Sequence, residues 1–275
     1  MPSGSNSIDL SIMIERIRER LEREFGENET LYHPNDIERI RTDSWQIERY
    51  IEEYHHNEDK AYDAIVKTLK WRKSERVNEI RETDFFKEIW TFTSAEIHGH
   101  DHQGRALYWV TVQNVSIPKD IIDLAYRFTL YLAEQLEKVA GRNGCTIVAN
   151  VRHAGLRNFQ LDIIRMLLTL PQHYPGLVRL FLFVDQPYLL RTVTNIFLNI
   201  VDEKIRKRMA FISNADLTKY VDPKLIPKSM NGMRTKLFQP TNIPSIKDCY
   251  ERLGLGMKIC DEVDKALNIV KKHLI

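Results

Sequence analysis

Between residues 98 and 102 the chain carries His98, His100, Asp101 and His102, a dense group of potential metal ligands. Strand alternation puts the three histidines on one side, where a curled strand end could bring them around an ion. The same string, with Gly99 inside it and Gly104 just beyond, also reads as a polar hairpin turn. No partner elsewhere is implied by spacing, so no metal is expected. Phosphate and acyl chemistry have less support: there is no Gly-x-x-x-x-Gly-Lys-Ser/Thr loop, no Gly-x-Gly-x-x-Gly turn and no Gly-x-Ser-x-Gly elbow. Cys145, Cys249 and Cys260 are scattered and form no Cys-x-x-Cys pair, which argues against a zinc knuckle or a disulfide framework and for a reducing, cytoplasmic setting. An enzyme is not expected, nor a cofactor.

Charge is the next resource. Lys and Arg total 40 against 38 for Asp and Glu, so bulk charge does not point to nucleic acid. Two local runs are basic, Arg72-Lys73-Ser74-Glu75-Arg76 and Lys204-Ile205-Arg206-Lys207-Arg208. The first is diluted by Glu75 and Glu79 and reads as a solvated helix face. In the second, Lys204, Arg206, Lys207 and Arg208 are candidates for contact with anionic lipid headgroups, with a solvated face as the alternative. A hydrophobic content of 43% is enough to offset chain entropy and build a core. Met1 to Ser7 is polar and small, unlike a signal peptide, and the apolar stretches at 161–170 and 177–184 fall short of the roughly 20 residues a spanning helix needs. Any membrane contact is expected to be transient and peripheral.

These side chains must be positioned by a chain of two patterns. Up to residue 82 the periodicity is helical. Leu10, Ile14, Ile17, Leu21 and Phe25 step by three and four over Ile8 to Phe25, with Gly26 placed to stop the helix, and shorter helices are predicted over Asn35–Thr42, Ser44–Tyr54 and Asp59–Arg76. From Ser94 the pattern alternates. Strands are predicted at Glu96–His98, Ala106–Val112, Cys145–Val151, Arg179–Val184 and Met209–Ile212. The helices between them are predicted from Pro118 to Gly141, over Phe159–His173 and over Tyr188–Val201. The expected fold is therefore α/β: a mixed, mainly parallel sheet flanked by helices, with an all-helical N-terminal lobe (1–82), a sheet lobe (83–240) and a C-terminal helical segment (241–275).

The sheet lobe is unusually apolar around Phe181, Phe183, Tyr188, Phe197 and Phe211. Composition does not separate a packed core from a ligand cavity. Several strings here resemble the CRAL-TRIO family of lipid-binding and lipid-transfer proteins: Asp101-His102-Gln103-Gly104-Arg105 before Tyr108-Trp109, Cys145-Thr146-Ile147-Val148, Tyr174-Pro175 before Leu180-Phe181-Leu182-Phe183, Pro187, and Ile226-Pro227 before Gly232. The helices closing on Trp71-Arg72 also resemble the family's N-terminal lobe.

The resemblance implies a sheet flooring an apolar pocket under a mobile helical gate, and binding, transfer or sensing of a phospholipid or similar hydrophobic ligand. It implies lipid-binding roles for Tyr108, Tyr131 and Thr146, at a tyrosine, a tyrosine and a threonine of phosphatidylcholine-binding members, and for Phe181, Phe183 and Phe211. Gly144 and Ile97 stand where those members have a serine and a tyrosine. The inositol-pattern positions fall at Lys204 and Met233, with Arg234 beside the latter, so phosphatidylinositol selectivity is not implied. The gate corresponds to about Asn214–Ser229, where Leu217, Tyr220, Val221, Leu225 and Ile226 would face the lipid. The alternative from another class is an adaptor or tether with a vestigial pocket. The sequence names no protein partner.

Overall fold

The computed structural model describes residues 4–115, 117–158, 160, 169–201, 203–235, 240 and 242–273. They fall into two compact units, Met1–Ile80 with Thr169–Gly176, and Arg81–Leu168 with Leu177–Ile275. The segment beyond 240 thus counts with the sheet.

The first unit is built on four helices, α1 (Gly4–Asn28), α2 (Pro34–Thr42), α3 (Trp45–Glu53) and α4 (Glu58–Ser74). The apolar stripe of α1 is the stripe that is buried: Ile14, Ile17, Leu21 and Phe25 join Ile40, Ile47, Ile51 and Ile65 in one core. Gly26 does not stop α1, contrary to expectation. An exposed glycine costs a helix only about 1 kcal/mol relative to alanine, and Phe25 just before it is anchored edge-on to Tyr32 at 5.0 Å. Asn57 caps α4 by accepting from the Lys60 N–H at 3.0 Å. The fold of this unit is pinned by a buried ion pair, Arg72 Nε to Asp36 Oδ1 at 2.8 Å, with Asn78 donating to the other carboxylate oxygen at 2.7 Å. His173 stacks on Trp71 at 3.8 Å, and its Nδ1 lies 3.1 Å from Thr68 Oγ1. Of the helix expected over Phe159–His173, residues 159 and 161–168 lie outside the described residues, and 169–173 are helical.

The second unit starts with α5 (Glu88–Thr93) and places five strands in sequence order: β1 (Ala95–His100), β2 (Ala106–Thr111), β3 (Cys145–Asn150), β4 (Val178–Val184) and β5 (Met209–Ile212). The β1–β2 pair is antiparallel and the other three pairs are parallel. Between strands run α6 (Ile122–Ala140), then α7 (Arg191–Ile200) and α8 (Glu203–Lys207). The chain ends in α9 (Ile246–Cys249) and α10 (Lys258–His273). Gly141, with φ of 49°, and Gly254, with φ of 68°, sit at the breaks after α6 and before α10.

Because β2 to β5 are parallel neighbours in chain order, right-handed crossovers assign all their connections to one face. The chain that follows β5 is left to cover the other. This asymmetry decides which side chains share a surface.

Candidate functional site

The register sorts the sheet into two sets of side chains. Along one face run Ile97, Tyr108, Ile147, Phe181 and Met209, and beside them Val110, Ala149, Phe183 and Phe211. Along the other run Leu107, Thr146 and Leu180, then Glu96, Trp109, Val148, Leu182 and Ala210, then Asn150, Val184 and Ile212.

The second face is closed. Leu107, Val148, Leu182 and Val184 are fully buried, packed with Leu217, Val221, Ile226 and Met230 from the chain after β5. That segment is fastened as well as packed. The His102 N–H donates to the Tyr220 carbonyl at 2.8 Å, and the Arg234 N–H to the Ile226 carbonyl at 2.9 Å. Arg234 Nη1 meets Glu96 Oε2 at 2.6 Å with its guanidinium 5.3 Å from the Trp109 ring centre. A side chain at Gly232 would place its Cβ 2.1 Å from the Ile226 carbonyl oxygen, so this turn admits only glycine.

The segment expected to be the gate therefore lies on the face opposite the phenylalanines. Leu217, Val221 and Ile226 are buried there, with Tyr220 and Leu225 half-buried against them. The crossovers between the parallel strands lie on the phenylalanine face.

The first face is different. Phe181 and Phe183 stack at 4.4 Å and Phe183 and Phe211 at 4.8 Å, giving three rings in a row across β4 and β5. Tyr108, Ile147, Phe181 and Phe183 are only half-buried although β3 and β4 are interior strands, and Phe211 is 41% exposed. Burial pushes the Tyr108 hydroxyl above its ordinary range, with Cys145 adding to it. At neutral pH it is a neutral donor and acceptor on the same face as the phenylalanines. Leu190, just before α7, belongs with Ala149, Val151 and Ala154 to a buried cluster against which Phe181 and Phe183 pack, which puts the start of the crossover on this face.

Two expected site residues have other partners. Thr146 is fully buried on the closed face, where its hydroxyl donates to Asp101 Oδ2 at 2.6 Å. Tyr131 on α6 sits in an aromatic group with Phe85, Trp90 and Phe128, at 5.6, 6.4 and 6.2 Å between ring centres. Asp101 organises the hairpin turn, accepting from the Gln103 and Arg105 N–H groups at 2.9 and 3.0 Å and from Arg105 Nε at 2.6 Å. Burial alone would raise its pKa, but the Thr146 hydroxyl, the Arg105 groups and the Gln103 N–H outweigh it and hold the carboxyl below the usual range. Its oxygens are thus committed to the turn. Among the described residues, no group of three or more His, Cys, Asp or Glu side chains is placed to hold a metal ion.

The basic run at 204–208 is partly structural. Arg206 Nη1 reaches the Leu198 carbonyl at 3.4 Å, Arg208 Nη1 the Val178 carbonyl at 3.1 Å, and Lys207 pairs with Glu203 at 2.9 Å. Among the described residues, no helix is long and apolar enough to cross a membrane.

Residues that sequence reading passed over as site residues are Ile147, Val110 and Met209. They carry no distinctive type, and only the strand register brings them into the row with Tyr108 and the phenylalanines.

Comparison with known proteins agrees with this architecture. The chain is 25% identical over 194 residues to a CRAL-TRIO domain-containing protein of Schizosaccharomyces pombe, covering 64% of this chain and 54% of that protein. It is 23% identical over 201 residues to "Protein real-time" of Anopheles gambiae, covering 63% and 29%. The chain thus spans about half the length of the first relative and less of the second. The crystal structure of Sfh5 superposes with a TM-score of 0.67 over 92% of this chain and 98% of that one, at 15% identity, which is a likeness of fold. The family profile described as the CRAL/TRIO domain matches residues 94–232, from the first sheet strand through the turn at Gly232, and the chain belongs to that family.

Proposed function

We propose that this chain binds a phospholipid or similar hydrophobic molecule against the phenylalanine face and carries or senses it between membranes. Membership of a family of lipid-binding and lipid-transfer proteins supports the class of function. The observation that carries the reading to this face is the row Phe181, Phe183 and Phe211, stacked ring on ring and half-buried to exposed on interior and edge strands. Aromatic surface left in this state gains roughly 25 cal/mol for each Å² that an apolar ligand covers. Tyr108, on the same face, supplies a neutral hydroxyl for a headgroup or ester. The β4–β5 crossover, Tyr188 to Ile200, acts as the movable cover, because its first turn already rests on Phe181 and Phe183 through Leu190. Carrying a lipid makes and breaks no covalent bond, so the chain needs no nucleophile or general base for it.

Protein purified from cells and extracted with organic solvent should release close to one lipid per chain by mass spectrometry. Phe183→Asp should release none while remaining folded. A wild-type protein that carries no lipid and takes none up from vesicles would sink this reading and leave the adaptor alternative.

A further inference from the structure

Two loops leave the same edge of the sheet. β3 and β4 are parallel neighbours that end at the paired residues Asn150 and Val184, and the Val151 N–H donates to the Val184 carbonyl at 3.0 Å. The loops they feed, 151–158 and 185–190, pack on each other, since Val151, Ala154 and Leu190 share one buried cluster with Phe181 and Phe183.

Two positions from that cluster, each loop turns a large apolar side chain outward. Leu156 is 70% exposed and Tyr188 is 78% exposed. The Leu156 loop is held rigidly. Asn158 accepts from the Gly155 N–H at 2.9 Å and donates to the Gln113 and Val115 carbonyls at 3.0 and 2.9 Å. Gln160 brackets Ile117 through both its N–H and its carbonyl, at 3.1 and 2.9 Å. Five hydrogen bonds thus hold a stretch of chain whose tip is a leucine in water.

The charges around these tips favour one partner. Arg152 on the first loop and Arg191 at the first position of α7 are exposed, and the Arg191 guanidinium lies 5.2 Å from the Tyr188 ring centre. Asp185 is half-buried and its Oδ1 accepts from the Asn214 N–H at 2.8 Å. Further along the same edge Asp216 is paired with Lys219. A leucine, a tyrosine and two arginines at one rim match a bilayer interface, in which aliphatic tips enter the acyl boundary, tyrosine lies at headgroup depth and arginine meets phosphate.

We infer that the edge formed by Leu156, Tyr188, Arg152 and Arg191 is the surface on which the protein docks to an anionic phospholipid membrane. This rests on the lipid-carrying reading, since the same cluster joins the two tips to the phenylalanine face. It also places docking at the end of the sheet opposite the basic run, because α8 precedes β5 whereas these loops follow β3 and β4.

The test is flotation of full-length protein with vesicles of phosphatidylcholine, with and without about one third phosphatidylserine. Leu156→Asp should lower vesicle binding about tenfold with unchanged melting and with co-purified lipid retained, and Tyr188→Asp should lower vesicle binding to a similar degree. The pair Arg152→Gln, Arg191→Gln should remove the preference for phosphatidylserine. Arg206→Gln with Lys207→Gln should change binding less than about twofold. Wild-type binding by the edge variants, or loss confined to the Arg206 and Lys207 variant, overturns the inference. Loss of co-purified lipid from the wild type, with edge-dependent docking intact, fails the lipid-carrying reading alone.

Discussion

The two faces of one five-stranded sheet have been finished differently. On one, Leu107, Val148, Leu182 and Val184 are sealed under the chain that follows β5, and even the polar members have partners: Thr146 with Asp101, Glu96 with Arg234. On the other, Tyr108, Ile147, Phe181 and Phe183 keep some accessible surface and Phe211 keeps much of it. The two faces belong to the same strands, and they differ both in their side chains, aromatic on one and mainly aliphatic on the other, and in what covers them. Connected parallel strands put their crossovers on the phenylalanine face and leave a single terminal segment, free to optimise its packing, for the closed face. The closed face carries the sealed core, and the phenylalanine face is the one to which the proposed ligand is assigned.

Truncations break or sharpen that contrast most strongly. Leu182→Ala on the closed face should cost about 2–5 kcal/mol in urea unfolding. Phe183→Ala should cost only about 1–2 kcal/mol, below the ~3–5 usual for a buried phenylalanine, while lipid uptake falls steeply. Equal losses at the two positions would make the phenylalanine face an ordinary core.

Thr146→Val comes next. Leaving Asp101 without its hydroxyl donor should cost about 1–3 kcal/mol with lipid content unchanged. A headgroup role for Thr146 predicts the reverse. The Asp101 carboxyl is held below its usual pKa, so it stabilises the fold above the unfolded value near 3.8, and this contribution is lost as pH falls through the lower folded value. Asp101→Asn should flatten the acid limb of the stability curve, which is checked by denaturation at a series of pH values.

The helical unit gives a smaller effect in a different window. Burial, then Lys67 and Arg72, lower the His173 pKa from 6.5 to about 4. Between those values the unfolded chain binds the proton and the folded unit does not, so stability falls as pH drops from 6.5 towards 4. Substituting His173→Gln should remove that slope in thermal melts, whereas an unchanged slope would show that His173 is not its source. Least of all, Phe211→Ser at the exposed rim should move stability by under about 0.5 kcal/mol yet slow transfer between vesicles.

Much of this was legible in the sequence. All five strands fall within two residues of their expected limits because alternation, β-branched residues and flanking turns agree. Asp101 with Gly104 three residues on carried the signal of a hairpin turn, and Asp101 caps that turn in the structure. What could not be read was which face each residue joins. Thr146 and Ile147 are neighbours, and only the pairing of Ile147 with Tyr108 and Phe181 tells which belongs to the phenylalanine row. The apolar spacing of Leu217, Val221 and Ile226 likewise announces a buried segment without saying which side of the sheet it buries against.

The contrast between the faces is tested most directly by loading the protein with a photoactivatable phosphatidylcholine and mapping the crosslinked residues by mass spectrometry. The account predicts labels on peptides carrying Tyr108, Phe181, Phe183 and Phe211. Labels concentrated on Leu217 to Met230 would contradict it.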